Sequence, residues 1–289
     1  MSLPSFIIIG AMKSATTTLQ EQLVEQPGIF MCEPKEPNYF SDDDQYAKGM
    51  DWYEGLFANS PEKTLLGEAS THYTKLPTHP KSVERIKQVM PNVKLIYVMR
   101  HPIDRLISHY IHQWSMGIFH ESIDETLMRH PELIAYSQYA FQLQPYFDAF
   151  GRDAVLPVFF DRLISEPQAE LERVCKFIGY QGRVVWKEHL APSNISSQRI
   201  KQFPLYSIII ESALATWVRR NFLPQSLRNF VKSKLTMRNR PQLSEEKLSE
   251  LEMTFNQDLE KLGSYLGVEL SCKSFKRITR ESSLNWTAR

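Results

Sequence analysis

Along the first 180 residues, short apolar runs alternate with stretches of helical period. Phe6–Ile9, Lys94–Met99 and Ala154–Phe160 are nearly unbroken apolar runs, the pattern of strands buried on both faces. Thr64–Glu68 reads as a further short strand. Pro157 weakens the third run, because a central strand tolerates proline poorly. Between the runs, Ile103, Leu106, Ile107, Tyr110, Ile111 and Trp114 recur at helical spacing. Val83, Ile86 and Met90 make a weaker stripe. Pro167–Gly179 has proline at its first turn and glycine at its end. Ser244 is placed to cap a last helix whose Leu248, Leu251, Phe255, Leu259 and Leu262 face inward. The alternation predicts an α/β core over about 5–180, with a parallel sheet and crossover helices. A helical lid and C-terminal helices follow over about 195–270, the whole 1–289 forming one domain.

Composition narrows the function classes. The 289 residues hold 34 Lys plus Arg against 33 Asp plus Glu, a net charge of +1. A dedicated nucleic-acid binder carries a clear basic excess, so no nucleic-acid partner is expected. Cys32, Cys175 and Cys272 are widely spaced and form no CxxC pair, which suggests reduced thiols and no metal site. The apolar run at the N-terminus is short for a signal peptide and no basic region precedes it. The most apolar stretch, 203–223, contains Glu211, Arg219 and Arg220, so no transmembrane segment is expected. These features predict a cytoplasmic protein.

The most informative segment is FIIIGAMKSATTTL, 6–19. A buried strand runs into Gly10, then Lys13, Ser14 and Thr16–Thr18, and a helix follows. Backbone amides, an ammonium and hydroxyls thus converge at a helix N-terminus, which favours a phosphate-like anion. An ordinary strand–turn–helix with a surface lysine is the bland alternative, and the Lys, Ser and Thr cluster weighs against it. The loop is not a Walker A motif: Lys13 comes three residues after Gly10, without the four-residue gap and Gly-Lys pair. A second segment, Met99-Arg100-His101-Pro102, ends a buried strand, the edge where open α/β sheets bind ligands. Arg100 with Ser108, on the polar side of the next helix, could hold a dianionic phosphate. Taken alone, Arg100 is read as readily as the partner of a structural carboxylate, and Ser108 as a solvated hydroxyl.

Together, 6–19 and Tyr97–Tyr110 resemble the two cofactor signatures of sulfotransferases that use 3′-phosphoadenosine 5′-phosphosulfate (PAPS). The likeness is nearest to the heparan-sulfate N- and 3-O-sulfotransferase branch and its bacterial relatives. Glu33–Phe40 (EPKEPNYF) is similar to that branch's Glu-x-x-Phe/Tyr-Phe motif, and 67–73, 160–167 and 238–244 to further family segments. The resemblance implies a P-loop-type three-layer α/β fold, with a central parallel sheet flanked by helices and a mainly helical C-terminal region. It implies that PAPS is the cofactor, adenosine 3′,5′-bisphosphate the product, and that no metal is needed. Lys13 then contacts the phosphosulfate, while Ser14, Ala15, Thr16, Thr17 and Thr18 wrap the 5′-phosphate. Arg100 and Ser108 bind the 3′-phosphate, and Arg238 adds a cofactor contact. Glu36 is the catalytic base, best served by a raised pKa in a partly apolar pocket of Pro37, Tyr39 and Phe40. His72 is the best rival among the histidines. His101 has a local role at a helix start, and His109 and His112 lie on a polar helix face.

The chain departs from the branch in one place. Where the branch has a lysine after the glutamate of its Gly-Glu segment, Ala69 stands. A second basic group must come from elsewhere, or the acceptor differs. Loops at 33–53, 70–79 and 114–137, dense in aromatics, are expected to build the acceptor site. The run Asp42-Asp43-Asp44 favours a neutral or cationic acceptor over a sulfated polyanion. The expected acceptor is a hydroxyl or amine of a small molecule or carbohydrate. Residues 205–235 read as a basic amphipathic helix, suited to a lid, a homo-oligomer interface or a membrane surface. Two other functions remain: a nucleotide kinase or NTPase with a degenerate loop, and a non-catalytic module that binds adenosine bisphosphate.

Overall fold

The computed structural model describes residues 2–190 and 240–287. Arg238 and the 205–235 segment lie outside them. The chain begins β1 (Phe6–Gly10), α1 (Thr16–Val24), β2 (Ile29–Met31), α2 (Asp43–Tyr46), α3 (Met50–Gly55) and β3 (Leu65–Ala69). A 3-10 turn, Thr71–Thr74, leads to α4 (Ser82–Val89), β4 (Lys94–Met99), α5 (Pro102–Ser115), α6 (Ile123–Arg129), α7 (Glu132–Ala135) and α8 (Tyr139–Phe150). Then come β5 (Val155–Phe159), α9 (Phe160–Ser165) and α10 (Pro167–Ile178), followed by α11 (Glu245–Leu266) and α12 (Phe275–Glu281).

The five strands pair in the order β2-β3-β1-β4-β5, every pair parallel. Side chains alternate across the pleat. Ile7, Ile9, Leu95, Tyr97 and Met99 enter a larger layer with α4, α5, α8, α11 and α12. Phe6, Ile8, Ile96 and Val98 enter a smaller one with α1 and α10. This is the three-layer α/β architecture expected. β5 is an edge strand, which is why it accommodates Pro157: only one flank of it must pair. β2, only three residues long, has no sequence signal of its own.

The helices follow their caps. Gly179 takes the left-handed conformation after α10, with φ 86°. The Ser244 hydroxyl accepts from the Lys247 amide at 3.2 Å at the start of α11. Leu251, Phe255, Leu259 and Leu262 of α11 are buried, but Leu248 is exposed. Asp258 fastens α11 to the sheet region by accepting from the amides of Ala140 and Phe141, both at 3.0 Å, at the start of α8.

The strand order fixes where ligands can enter. From β1 the chain moves to one side, through β2 and β3, then crosses to β4 on the other. The crevice at the C-terminal ends of β1 and β4 is therefore the topological switch point, where open α/β sheets bind ligands.

Candidate active site

The loop after β1 is shaped by backbone constraints. The β1–β4 register shifts between Ile8 and Gly10, and the Ala11 amide then bonds the Val98 carbonyl at 2.8 Å. Gly10 has φ +154°, and a Cβ there would lie 2.0 Å from Thr74 Oγ1, so no other residue fits. That hydroxyl donates to the Ile9 carbonyl at 2.7 Å, tying the loop to the turn after β3. Lys13 and Ala15 both take left-handed conformations, with φ 73° and 68°. Ala15 caps α1 without a side-chain bond. The first helical bond runs from the Leu19 amide to the Ala15 carbonyl, so the first-turn amides of Thr16, Thr17 and Thr18 are left to an external acceptor. The Ser14 hydroxyl is buried and has no hydrogen-bond partner among the described residues.

The second segment meets the first directly. Arg100 leaves β4, and its Nη1 donates to the Lys13 carbonyl at 3.2 Å. The guanidinium lies 4.5 Å from the centre of the Phe160 ring. Tyr139 holds the Arg100 backbone through its amide, at 3.2 Å, and its carbonyl. Nearby, Asp104 receives Arg240 and Lys276, both at 2.5 Å. Burial alone would raise this carboxyl, but the two cations bring it down to about 2. Two expectations about α5 need correction. Ser108 is buried, not on a polar face. His109 is likewise buried, 3.4 Å from Arg105 Nη1 and 3.3 Å from Gln113 Nε2. The apolar stripe was legible, but α5 is enclosed on nearly all sides by the larger layer. His101 does have a local role, contacting the Cys272 carbonyl at 3.0 Å.

The segment around Glu36 is pinned to the end of β3. The Glu36 amide bonds the Ala69 carbonyl at 3.0 Å, and the Asn38 amide bonds Ser70 Oγ at 3.1 Å. Glu36 and Asn38 are both left-handed, with φ 57° and 53°. Non-glycine residues held there cost about 1–3 kcal/mol each, a strain typical of functional sites. Glu36 Oε1 accepts from Lys35 Nζ at 3.0 Å and Thr71 Oγ1 at 3.3 Å. The expectation of a raised pKa is not met. Burial pushes the carboxyl up, but Lys35, with further help from His72 and Lys75, outweighs it, and the value falls below the ordinary one. Tyr39, Phe40, Tyr53 and Tyr73 do not enclose an open pocket; they form a buried cluster beneath this segment. Tyr39 stacks on Tyr53 with centroids 4.7 Å apart.

At the centre of that cluster is Glu68, which the sequence reading did not single out. It is fully buried and accepts from Tyr53 at 2.5 Å, Ser70 at 2.6 Å and Tyr73 at 2.6 Å. Burial raises its pKa against these hydroxyls. The only signal was a carboxylate inside a buried strand, which demands partners. His72 stacks on His79 at 4.9 Å, and burial, with Lys75 and His79, holds it down at about 4. Lys75, also unnoticed, is 7% exposed. The acidic run is committed locally: Asp42 caps α2, and Asp43 pairs with Lys81 and Arg85.

The loop at 10–18 and Arg100 are thus brought together, while Glu36 and His72 gather at the adjoining end of β3. Among the described residues no helix is long and apolar enough to cross a membrane.

Residues 3–207 match the family described as Sulfotransferase domain. The chain is 31% identical over 196 residues to mouse heparan sulfate glucosamine 3-O-sulfotransferase 3A1, covering 65% of this chain and 48% of that protein. It is 36% identical over 119 residues to the membrane-associated sulfotransferase kil1 of Dictyostelium discoideum, covering 39% of this chain and 24% of that one. The chain spans about half the length, or less, of these curated relatives. The fold is that of a sulfotransferase crystal structure from Alicyclobacillus acidocaldarius, with a TM-score of 0.69 at 21% identity over 96% of this chain and 100% of that one. With more than half its length matched, the chain belongs to the sulfotransferase domain family.

Proposed function

We propose that this chain transfers a sulfuryl group from PAPS to a hydroxyl or amine of a small-molecule or carbohydrate acceptor. The observation that carries the reading is the join between Arg100 and the Lys13 carbonyl at the switch point, beside a buried Ser14 hydroxyl with no partner among the described residues. The residues present fit the cofactor. Ser14 and the open amides of Thr16–Thr18 suit the 5′-phosphate, with Ala15 supplying backbone only. Arg100 and Ser108 suit the 3′-phosphate. Asp104 holds Arg240 and Lys276 in place near Arg100.

Bound PAPS supplies an activated sulfuryl group on a phosphate leaving group. Lys13 provides the positive charge that a leaving phosphate oxygen needs. Glu36 takes the acceptor proton. Its Oε1 is occupied by Lys35 and Thr71, so Oε2 is the oxygen to receive it. Its lowered pKa keeps it ionised at neutral pH, ready as a base though a weaker one. His72, neutral at that pH, borders the same carboxylate and shapes its field. Residues 5–180 and the C-terminal helices act as one unit, a reading supported by the Asp258 anchor on α8.

Calorimetric titration tests the cofactor. Adenosine 3′,5′-bisphosphate is expected to bind without magnesium and far more tightly than adenosine 5′-phosphate or ATP. Arg100→Ala removes charge-assisted hydrogen bonds worth about 1.5–3 kcal/mol each and weakens binding by about 10- to 100-fold. Preference for ATP with magnesium, or indifference to the 3′-phosphate, overturns the reading in favour of a kinase-like one.

A further inference from the structure

The cations paired with carboxylates near this cleft and beside β5 are exposed or partly buried: Arg240 and Lys276 are more than half exposed, and Arg162 and Arg173 are half-buried. Asp104 takes Arg240 and Lys276. Glu170, almost fully buried, takes Arg173 at 2.5 Å and Arg162 at 3.3 Å. A buried cation needs a counter-charge more than these do, because an uncompensated buried charge costs several kcal/mol.

Lys75 is buried and has no such partner: its side chain is 7% exposed, yet among the described residues no carboxylate lies within 4 Å of its ammonium and no hydrogen bond leaves it. Its ammonium lies 5.8 Å from the centre of the Tyr136 ring. The groups around it are mostly basic. His72 and His79 stack on its own turn. Arg105 of α5 is fully buried, held by Ser137 at 2.5 Å and the Leu133 carbonyl at 3.0 Å, with no carboxylate partner among the described residues. His109, also on α5, feels Lys75, Arg105 and Lys13 together. The carboxylate that acts on Lys75 is Glu36, already paired with Lys35; Asp42 and Asp43 act on the two histidines, and Asp43 is itself paired with Lys81 and Arg85. Burial and Arg105 bring the Lys75 ammonium down to about 8 despite Glu36.

The backbone here is rigidly held. Thr74 is bonded to the Ile9 carbonyl at 2.7 Å, Tyr146 to the Tyr73 carbonyl at 2.7 Å, and the Leu76 amide to Gln142 at 2.8 Å. The ammonium is therefore carried by a fixed turn beside the proposed base. We propose that Lys75 docks an acidic group of the acceptor, a carboxylate or a sulfate or phosphate ester near the hydroxyl or amine that is sulfated. The acceptor is then anionic, the reverse of what the Asp42–Asp44 run suggests. Lys75 also answers the absence of a lysine at Ala69, from a different position. This rests on the sulfotransferase reading of the same cleft.

The test is NMR of protein with carbon-13 labelled lysine, saturated with adenosine 3′,5′-bisphosphate so that the phosphate sites are filled. The Lys75 Cε signal is identified by its loss in Lys75→Arg. Sodium acetate and sodium sulfate are titrated at constant ionic strength against sodium chloride. At least one of the two oxyanions should give a saturable shift and raise the Lys75 titration midpoint by about one pH unit, the responding anion naming the acidic group. No response beyond that to chloride overturns the proposal. In turnover with PAPS, 4-hydroxyphenylacetate should be preferred to its methyl ester, and glucuronate to glucose, by about tenfold in kcat/KM. That preference should vanish in Lys75→Gln and return in part in Lys75→Arg. Equal use of acid and neutral partner, or a preference that survives Lys75→Gln, overturns it as well. If none of the four turns over, the titration decides. Failure of the nucleotide to bind sinks the sulfotransferase reading instead, and the anion titration on free protein still reads Lys75.

Discussion

On the proposed cofactor side of the cleft, Arg240 and Lys276 share the Asp104 carboxylate, and Arg100 is braced by a backbone carbonyl and an aromatic face. On the proposed acceptor side, the buried Lys75 and Arg105 have no carboxylate ion pair among the described residues, and Glu36, which acts on Lys75 and His72, is itself engaged by Lys35. Both sides are equally well anchored in the backbone, so looseness does not explain the contrast. A fixed ion pair orients a cation in advance at the cost of its field; an unpaired one keeps its field and needs an outside counter-ion. The first arrangement suits a cofactor that the protein must hold in one pose. The second suits a partner whose own charge completes the site.

The sharpest way to break the comparison is at Glu36. Glu36→Gln keeps the volume and the Thr71 contact but removes the base. It should lower kcat by about 10²- to 10⁴-fold while leaving adenosine bisphosphate affinity within about twofold. An equal loss of nucleotide affinity would place Glu36 on the cofactor side. His72→Ala should have a smaller effect on kcat, because Glu36 is already ionised near neutral pH. If His72→Ala costs more than Glu36→Gln, the histidine is the base.

Glu68 comes next, measured as stability. Glu68→Ala deletes the acceptor of three buried hydroxyls, and leaving each unsatisfied costs about 1–3 kcal/mol. A loss of about 3 kcal/mol or more in denaturant unfolding is expected, with adenosine bisphosphate binding retained by whatever fraction stays folded. Glu68→Gln preserves one acceptor oxygen and should lose less. The pH dependence follows from its raised pKa. Stability contributed by the protonated form is complete below the unfolded value and declines as pH rises through the folded one. Glu68→Gln should flatten that decline, and an unchanged slope would place its cause elsewhere.

The cofactor side was more legible in the sequence than the acceptor side, and the reason is physical. A phosphate cradle needs a strand, a helix N-terminus and small polar residues in consecutive order, so 6–19 displays the proposed one in a single run. Arg100 stood at a strand end for the same reason. The proposed acceptor side depends on contacts across long separations: Glu36 with Ala69, Tyr53 with Glu68, and Leu76, next to Lys75, with Gln142. None of these has a local signature. Burial was also hidden where both faces of a helix are covered, which is why Ser108 and His109 looked solvated. The direction of the Glu36 shift depended on a neighbouring lysine outweighing burial, a balance that residue types alone do not settle.

Asp104 gives the smallest effect and the closest control on the comparison. Its carboxyl titrates at about 2 against an ordinary 3.8. A group with a depressed folded value stabilises fully above its unfolded value and loses that contribution as pH falls through the folded one. The depression corresponds to roughly 2 kcal/mol near neutral pH, lost between about pH 4 and pH 2. Asp104→Asn should therefore lower stability by up to about 2 kcal/mol at pH 7 and by little at pH 2. It should also free Arg240 and Lys276 from their fixed partner. If those cations serve the 3′-phosphate, adenosine bisphosphate binding to Asp104→Asn should gain salt dependence while changing affinity by only a few-fold, since attraction rises as orientation is lost. A wild-type salt slope in Asp104→Asn would mean that the pair is structural alone, and the contrast between the two sides would then rest on Lys75.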